Sequence, residues 1–283
     1  MSPTDLATAA KQFREEGVVH IPGALDDAAM RLALGAYEWS LAHPSPAAAQ
    51  FPQDKPGRFY QDLANPRALA AYQKLLDESP AADIAAALWS GRDVWFMYEQ
   101  VFLKEGGEAR RTPWHQDSSY LPIDGQMIAV MWITFEPVAK EDSLEFVRRS
   151  HRGVLYDGSR FDPNDDTAPL YGDGSLPRLP NIEAERSRFD IVSWAVNPGD
   201  VLVFHPAILH GGAPTRAGRR RRTLSLRFFG DDAIYTPRLA LSGNRPHSLG
   251  DDPEASVFTR LPGALKPGQP LRHPGFPKIR PRA

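Results

Sequence analysis

The chain of 283 residues sets 35 acidic residues against 33 lysines and arginines, a formal net charge of −2. That balance supplies no general attraction to nucleic acid or an anionic membrane, which ask for a strongly basic surface. Cysteine is absent, which excludes disulfides, thiolate nucleophiles and cysteine-ligated zinc or iron–sulfur centres, so any metal must be held by histidine or carboxylate.

The length suits one domain with appended segments. The start, Met1-Ser2-Pro3-Thr4-Asp5, lacks a basic region followed by an apolar one, and no stretch reaches the roughly 18 apolar residues of a membrane span. The expectation is a soluble cytoplasmic protein without membrane or nucleic-acid partners. Oligomeric state has no signature in the sequence.

Residues 1–92 read as a mainly helical flank. Helices are expected from Leu6 to Glu16, from Asp26 to Leu41 with Asp26-Asp27 as N-cap, from Arg67 to Leu76 and from Ala81 to Leu88. One short strand, Val18 to Ile21, stops at Pro22-Gly23, and Pro44 to Gly57 reads as a loop. From Asp93 the texture turns β-branched and aromatic, predicting strands at Val94 to Leu103, Met127 to Phe135, Leu144 to Val147, Val201 to Phe204 and Thr223 to Phe229. Helices followed by a run of strands suggest a β-sandwich or barrel with helices on one outer face, its core spanning 93–235. Residues 153–193, rich in Asp, Pro, Gly and Arg, read as a long insertion between two strands, and loops of that length are usually functional lids or partly disordered segments. Residues 261–283, rich in proline and basic residues, read as an extended C-terminal surface arm.

The sharpest local feature is Pro113-Trp114-His115-Gln116-Asp117. On extended backbone, positions i and i+2 project to one side, so His115 and Asp117 can meet the same ion. Taken alone, such a pair is more simply a hydrogen-bonded one. Far downstream, Asn197-Pro198-Gly199-Asp200 launches an apolar strand, after which His210 stands before two glycines. Two histidines and one carboxylate form the facial triad of non-haem Fe(II) oxygenases, with three coordination positions left open. His115, Asp117 and His210 are therefore the candidate metal ligands and catalytic centre. A third element, Arg219-Arg220-Arg221-Arg222-Thr223-Leu224-Ser225-Leu226-Arg227, leads into a strand whose alternation sets Arg219, Arg221, Thr223 and Ser225 against Leu224, Leu226 and Phe228. An arginine held inside a barrel could clamp a dicarboxylate in bidentate fashion.

In the stretch from about Glu99 to Asp232, and more loosely in the pattern Phe13, Gly17-Val18 and Pro22-Gly23, the sequence resembles the phytanoyl-CoA dioxygenase family of Fe(II)- and 2-oxoglutarate-dependent oxygenases. The resemblance rests on an ordered set: Trp114-His115-Gln116-Asp117, Met131-Trp132-Ile133-Thr134, Pro198 through His205 with His210-Gly211, and Arg221-Arg222-Thr223-Leu224-Ser225. It implies a mainly β fold with flanking helices, a double-stranded β-helix (a cupin-like jelly roll). It also implies Fe(II), 2-oxoglutarate and O2 as cofactor and co-substrates, with His115, Asp117 and His210 on iron and Arg221 on the distal carboxylate. Gln100 and Trp132, and more weakly Thr134, would contact 2-oxoglutarate. The implied activity is hydroxylation of a C–H bond in a small-molecule substrate, with release of succinate and CO2. The halogenase variant of this chemistry needs a small residue where Asp117 stands. Where the family commonly has Asn-Gly and Pro-Gly-Ser-His, this chain has Asp142-Ser143 and Arg148-Arg149-Ser150-His151, which bears on turn geometry and the pocket rim.

Two other classes fit parts of the pattern. A divalent-metal hydrolase or isomerase could use the same triad with zinc, although it has no need of a buried dicarboxylate clamp. A non-catalytic jelly-roll binding protein would apply if the triad failed to converge. His205 and His151 read as structural; His20, His43, His247 and His273 have no partner motif; Arg160, Arg178, Arg186 and Arg188 read as solvated. The substrate's identity is not encoded in any motif.

Overall fold

The computed structural model describes residues 3–51, 58–91, 93–105, 111–162, 164–216, 218–238, 258 and 261–281. The expected loop at 44–57 is thus seen only to residue 51, and His247 lies outside the described residues. Among them, no helix is long and apolar enough to cross a membrane.

The helical flank comprises α1 (Pro3–Glu16), α2 (Asp27–Ala42), α3 (Ala68–Glu78) and α4 (Ala81–Leu88), with β1 (Val18–Ile21) after the first helix. α2 starts where Asp26 is extended and its Oδ1 accepts from the Ala29 amide at 2.8 Å, a cap that contributes about 1 kcal/mol. α1 stops at Gly17, whose φ of +82° favours glycine and where a Cβ would come within 2.4 Å of the His151 ring. The flank also holds two strands that the sequence reading took as loop or left unassigned, β2 (Ala49–Phe51) and β3 (Arg58–Leu63). β3 escapes periodicity because polar residues share it with aromatics; its pairing along residues 100–105 of β4 (Val94–Glu105) makes it a strand.

The remaining strands are β5 (Thr112–His115), β6 (Ile123–Asp124), β7 (Ile128–Thr134), β8 (Leu144–Val147), β9 (Ile191–Val192), β10 (Val201–Phe204), β11 (His210–Gly212), β12 (Arg220–Phe229), β13 (Ile234–Tyr235) and β14 (Lys278–Arg280). A large antiparallel sheet runs β1-β10-β7-β12-β4-β3-β2, with β14 on the start of β4. A second sheet runs β5-β11-β8-β9. Alternation divides the large sheet. Val19, Ile21, Val101, Leu103, Met131, Ile133, Val201, Val203, Leu224 and Leu226 join the helices in the main core. Val18, Val130, Trp132, Leu202 and Phe204 face the other way, into a cluster with Phe146 of the second sheet. Truncating a fully buried leucine such as Leu226 would cost roughly 2–5 kcal/mol. The helices therefore fix the back of the sheet, and its front is free to carry polar residues.

The C-terminal segment is extended in part but is not a surface arm. Leu271, Phe276, Ile279 and Arg280 are buried, and α5 (Leu261–Ala264) precedes the strand pairing of β14 with β4. Arg280 pairs with Asp83 and donates to the Leu76 and Ser79 carbonyls at 3.2 and 3.4 Å, satisfying acceptors that the end of α3 leaves open. Proline composition suggested an exposed arm, but apolar residues between the prolines supply enough burial to dock it.

On the helix-facing side of β4, Glu99 is 3% exposed and accepts from the Asn65 amide at 2.9 Å. Burial, reinforced by nearby Asp62, pushes its carboxyl up to about 8 from an ordinary 4.5. The unfolded chain releases this proton above 4.5 while the folded chain keeps it until about 8, so the group costs stability progressively across that window. We expect Glu99→Gln, which retains a carbonyl acceptor, to gain stability over the wild type as pH rises from 5 to 8 and then level off. The gain should be on the order of a few kcal/mol, measured by urea denaturation at several pH values.

Candidate functional site

β5 and β11 are neighbours in the smaller sheet, and their antiparallel register sets His210 opposite His115. The two imidazoles lie side by side, with centroids 4.2 Å apart. Each Nδ1 donates to a carbonyl two residues back along its own chain, His115 to Pro113 at 2.8 Å and His210 to Ile208 at 3.0 Å. Both rings are thereby fixed with the Nε2 lone pair forward, the form a metal ligand requires. Asp117 sits in the 3-10 turn Asp117–Ser119, and its Oδ1 lies 3.5 Å from His115 Nε2 and 3.8 Å from His210 Nε2. Potential ligand atoms of the three residues all fall within 4.8 Å of one another.

Gln116, between the two ligands of β5 and its turn, faces away and is 1% exposed. Its amide donates to Ala207 and Val154 carbonyls at 2.7 and 3.1 Å and accepts from the Tyr156 amide at 2.8 Å. One side chain thus ties the triad turn to the approach to β11 and to the start of the insertion.

The other oxygen of Asp117 is committed elsewhere. Oδ2 accepts from Arg227 Nη2 at 2.9 Å, and the same nitrogen donates to Gln100 Oε1 at 2.7 Å. The carboxylate is therefore divided, with one oxygen toward the imidazoles and one toward Arg227, an arrangement suited to monodentate metal ligation. Burial would raise the Asp117 carboxyl, but Arg227 and the two histidines outweigh it and hold it well below the usual carboxylate range. Burial, with neighbouring His115, drives His210 down to about 3. The donor set thus includes one anion and, at His210, a neutral imidazole, donors that a divalent transition metal takes.

At the other end of the same interior face stand two cations. Lys104 and Arg221 are register partners on β4 and β12, 5% and 8% exposed. Arg221 donates to the carbonyls of Asp142 and Ala213, and Lys104 donates to Thr112 Oγ1 at 3.2 Å. Neither is paired with a carboxylate among the described residues. Burial pulls Arg221 down to about 10, and burial together with Arg221 pulls Lys104 well below its ordinary value. Two buried cations without an anion fit a site for a carboxylate ligand.

Of the other residues singled out from the sequence, Gln100 and Trp132 lie opposite Ser225 from either side on the interior face. Thr134 is on that face one rung further, opposite Thr223, but its hydroxyl donates to the Glu136 carbonyl at 2.8 Å. His205 is structural: its Nδ1 accepts from the Ala207 amide and its Nε2 faces the Gly125 carbonyl at 3.0 Å. His151 packs against Gly17 and reaches the Arg14 carbonyl at 3.3 Å. Arg178, Arg186 and Arg188 are exposed and ion-paired with acidic neighbours, and Arg160 lies 4.0 Å from Asp162. Lys104 and Arg227 went unrecognised in the sequence, although strand parity points to both: Lys104 shares it with Gln100, and Arg227 with Arg221. Phe161, from the insertion, was also missed. Its ring meets His115 edge-on at 5.5 Å and stacks near Tyr120 at 6.1 Å.

Comparison with known proteins agrees with this geometry. A family model described as phytanoyl-CoA dioxygenase matches residues 13–223. A Caenorhabditis elegans protein named as a probable phytanoyl-CoA dioxygenase is 28% identical over 124 residues, 43% of this chain and 37% of that protein. The chain thus matches well under half the length of that curated relative. Among solved structures, the epimerase SnoN in complex with Fe3+, alpha ketoglutarate and nogalamycin RO aligns with a TM-score of 0.68 and 20% identity, covering 99% of this chain and 100% of SnoN. The carbocyclase SnoK from nogalamycin biosynthesis aligns at 0.67 and 19%, covering 98% and 96%. At these identities the structural likeness establishes the shared jelly-roll fold.

The triad makes a direct prediction for metal binding. Chelator-treated protein should take up one equivalent of Co(II) with the appearance of visible ligand-field bands, and Asp117→Ala should weaken uptake at least tenfold by removing the sole anionic ligand. Unchanged uptake in a folded variant would refute the assignment.

Proposed function

Since the chain belongs to the phytanoyl-CoA dioxygenase family, we propose that it is an Fe(II)- and 2-oxoglutarate-dependent dioxygenase that hydroxylates a C–H bond of a small-molecule substrate. The observation that carries this reading is the pairing, on one interior face, of a two-histidine, one-carboxylate triad with two buried cations that have no carboxylate partner among the described residues. A triad alone would suit a zinc hydrolase, which has no use for Lys104 and Arg221. A binding module would have no reason to align two Nε2 lone pairs on one carboxylate oxygen.

In this reading His115, Asp117 and His210 hold the iron, and Arg221 with Lys104 takes the distal carboxylate of 2-oxoglutarate. Gln100 and Trp132 line the path between them, and Thr134 contributes less because its hydroxyl is already engaged. Bound together, iron and 2-oxoglutarate supply the oxidation: one atom of O2 leaves in succinate, the other is inserted at carbon, and CO2 is released. The protein's part is to leave three metal positions open, orient the co-substrate by its charged end, and limit water. Phe161 and Tyr120 serve the last role, covering the His115 side with apolar rings. The names of SnoN and SnoK assign those proteins epimerisation and carbocyclisation. Either outcome would use the same residues here and differ only in the fate of the substrate after the C–H bond breaks.

The test is anaerobic titration of Fe(II)-loaded protein with 2-oxoglutarate, following the weak visible charge-transfer band of the chelate. The band should appear in the wild type and be lost in Asp117→Ala. Arg221→Ala and Lys104→Met should each require about 10- to 100-fold more 2-oxoglutarate, the worth of a charge-assisted contact. No band at saturating iron and 2-oxoglutarate in folded protein would sink the proposal.

A further inference from the structure

Phe161 stands apart from the other rings of the chain. At 42% it is more exposed than any other aromatic side chain among the described residues, and its φ is +58°. A half-bare phenyl ring forgoes burial, and a left-handed backbone is unfavourable for any residue with a Cβ. Strain of this kind persists only where the surroundings impose it.

Those surroundings are a small hairpin within the insertion. Ser159 bridges to Pro169 and Asp162 to Asp165. The Arg160 amide donates to the Ala168 carbonyl at 2.9 Å, and the Leu170 amide to the Gly158 carbonyl at 2.6 Å. At the base, the buried Asp157 carboxylate accepts from the Tyr171 and Gly172 amides at 2.9 and 3.0 Å. The hairpin is also strapped to the turn that bears Asp117. Ser119 Oγ donates to the Tyr156 carbonyl at 2.8 Å, and the Tyr120 hydroxyl to the Ser159 carbonyl at 2.7 Å. Gly158 lies so close to the Tyr120 ring that a Cβ would come within 3.0 Å of it. Phe161 is thus presented by a docked scaffold, with its surface ordered in advance.

The neighbours of the ring define what it can recognise. Tyr120 lies along it at an interplanar angle of 24°, while the His115 imidazole stands at 68° to it. An aliphatic side chain would exclude water from His115 equally well, so that role does not call for a flat one. A flat surface fixed beside a metal ligand recognises another flat surface, since offset stacking is the favoured packing of aromatic groups. Arg160 and Asp162, on either side of Phe161 in the chain, lie 4.0 Å apart and offset each other's charge. They leave no net charge for an ionic group.

We infer that Phe161 is a specificity-determining residue and that the substrate carries a planar, uncharged ring system, aromatic or conjugated, which stacks on it beside His115. This rests on the oxygenase reading above and names the substrate class which that reading leaves open. A ring parallel to Phe161 shares its steep inclination to the imidazole, so a C–H bond at the edge of that ring is the one offered to the metal position. Because the stacking surface needs no ordering on binding, little of the contact energy is spent on the protein.

The experiment uses two probes, 2-naphthol and decahydro-2-naphthol, which share a carbon skeleton and hydroxyl but differ in flatness. Each is titrated calorimetrically into Co(II)-loaded protein with 2-oxoglutarate under anaerobic conditions, and ligand-field bands check the triad of every variant. The wild type should bind 2-naphthol about three- to tenfold more tightly than its saturated counterpart, the worth of an aromatic contact. Phe161→Leu, which keeps apolar bulk without a flat face, should bind the two equally, and Phe161→Tyr should keep the preference. A wild-type ratio below about threefold, or no binding of either probe, overturns the inference. So does a preference that survives in Phe161→Leu or vanishes in Phe161→Tyr. The oxygenase reading fails separately, by absence of the charge-transfer band with Fe(II) and 2-oxoglutarate, whatever the two probes do.

Discussion

The site depends on the register of β5 against β11. Side chains alternate with a period of two, so a slip of one residue between these strands would send one imidazole to the opposite face and dissolve the triad. Turn geometry alone does not protect so short a pairing, since β11 has only three residues and its ladder with β5 is irregular after His210. Two other contacts hold it. β8 lies on the far side of β11 with Phe146 opposite His210, and Gln116 makes three hydrogen bonds to two separate segments from a position between the ligands. The glycines after His210 allow the close approach, because a Cβ on Gly211 would lie 3.1 Å from the Thr112 carbonyl.

Electrostatics gives that geometry its direction. The back of the large sheet is apolar and packed under helices, which leaves the interior face of β12 to carry Arg221, Thr223, Ser225 and Arg227. Burying two guanidinium groups and a lysine between sheets is expensive, several kcal/mol for each ion without a partner. Among the described residues the cost is only partly met: Arg227 has Asp117, Arg221 has two carbonyls, and Lys104 has the Thr112 hydroxyl. A fold that keeps such an imbalance at its centre is arranged for an anion that arrives from outside, as strained or unsatisfied groups at functional sites generally are.

Much of this was legible in the sequence because strands and metal ligands follow short-range rules. The His115–Asp117 spacing, the apolar run before His210 and the alternation around Arg221 each carried their meaning over a few residues. The parts not read were those decided by distant pairing. β3 is a strand because β4 is beside it, and the proline-rich C-terminus docks because Phe276 and Leu271 find a cluster built from Trp95, Phe229 and Tyr235. Lys104 and Arg227 had a local signal in their parity. What parity could not say is that Lys104 faces Arg221 or that Arg227 reaches Asp117, since both facts belong to the register of β4, β12 and the turn after β5.

Division of labour between the two sides of the site explains why chemistry is readable here and substrate is not. In the proposed reading, both histidine ligands and the co-substrate contacts come from the sheets, and Asp117 comes from the turn directly after β5. The remaining wall over His115 comes from the insertion between β8 and β9, where Phe161 takes a left-handed φ of +58° and remains 42% exposed. That conformation costs a non-glycine residue on the order of 1–2 kcal/mol, and exposing a phenyl ring forgoes further burial. Neighbouring contacts hold it there nonetheless: its amide donates to Ser159 Oγ at 3.0 Å, and the Tyr120 hydroxyl donates to the Ser159 carbonyl at 2.7 Å. An aromatic ring kept over a metal ligand at such cost is placed for what enters the site. Under the proposed function, selection by shape and apolar surface falls to the insertion, which can change without disturbing the register of β5 and β11.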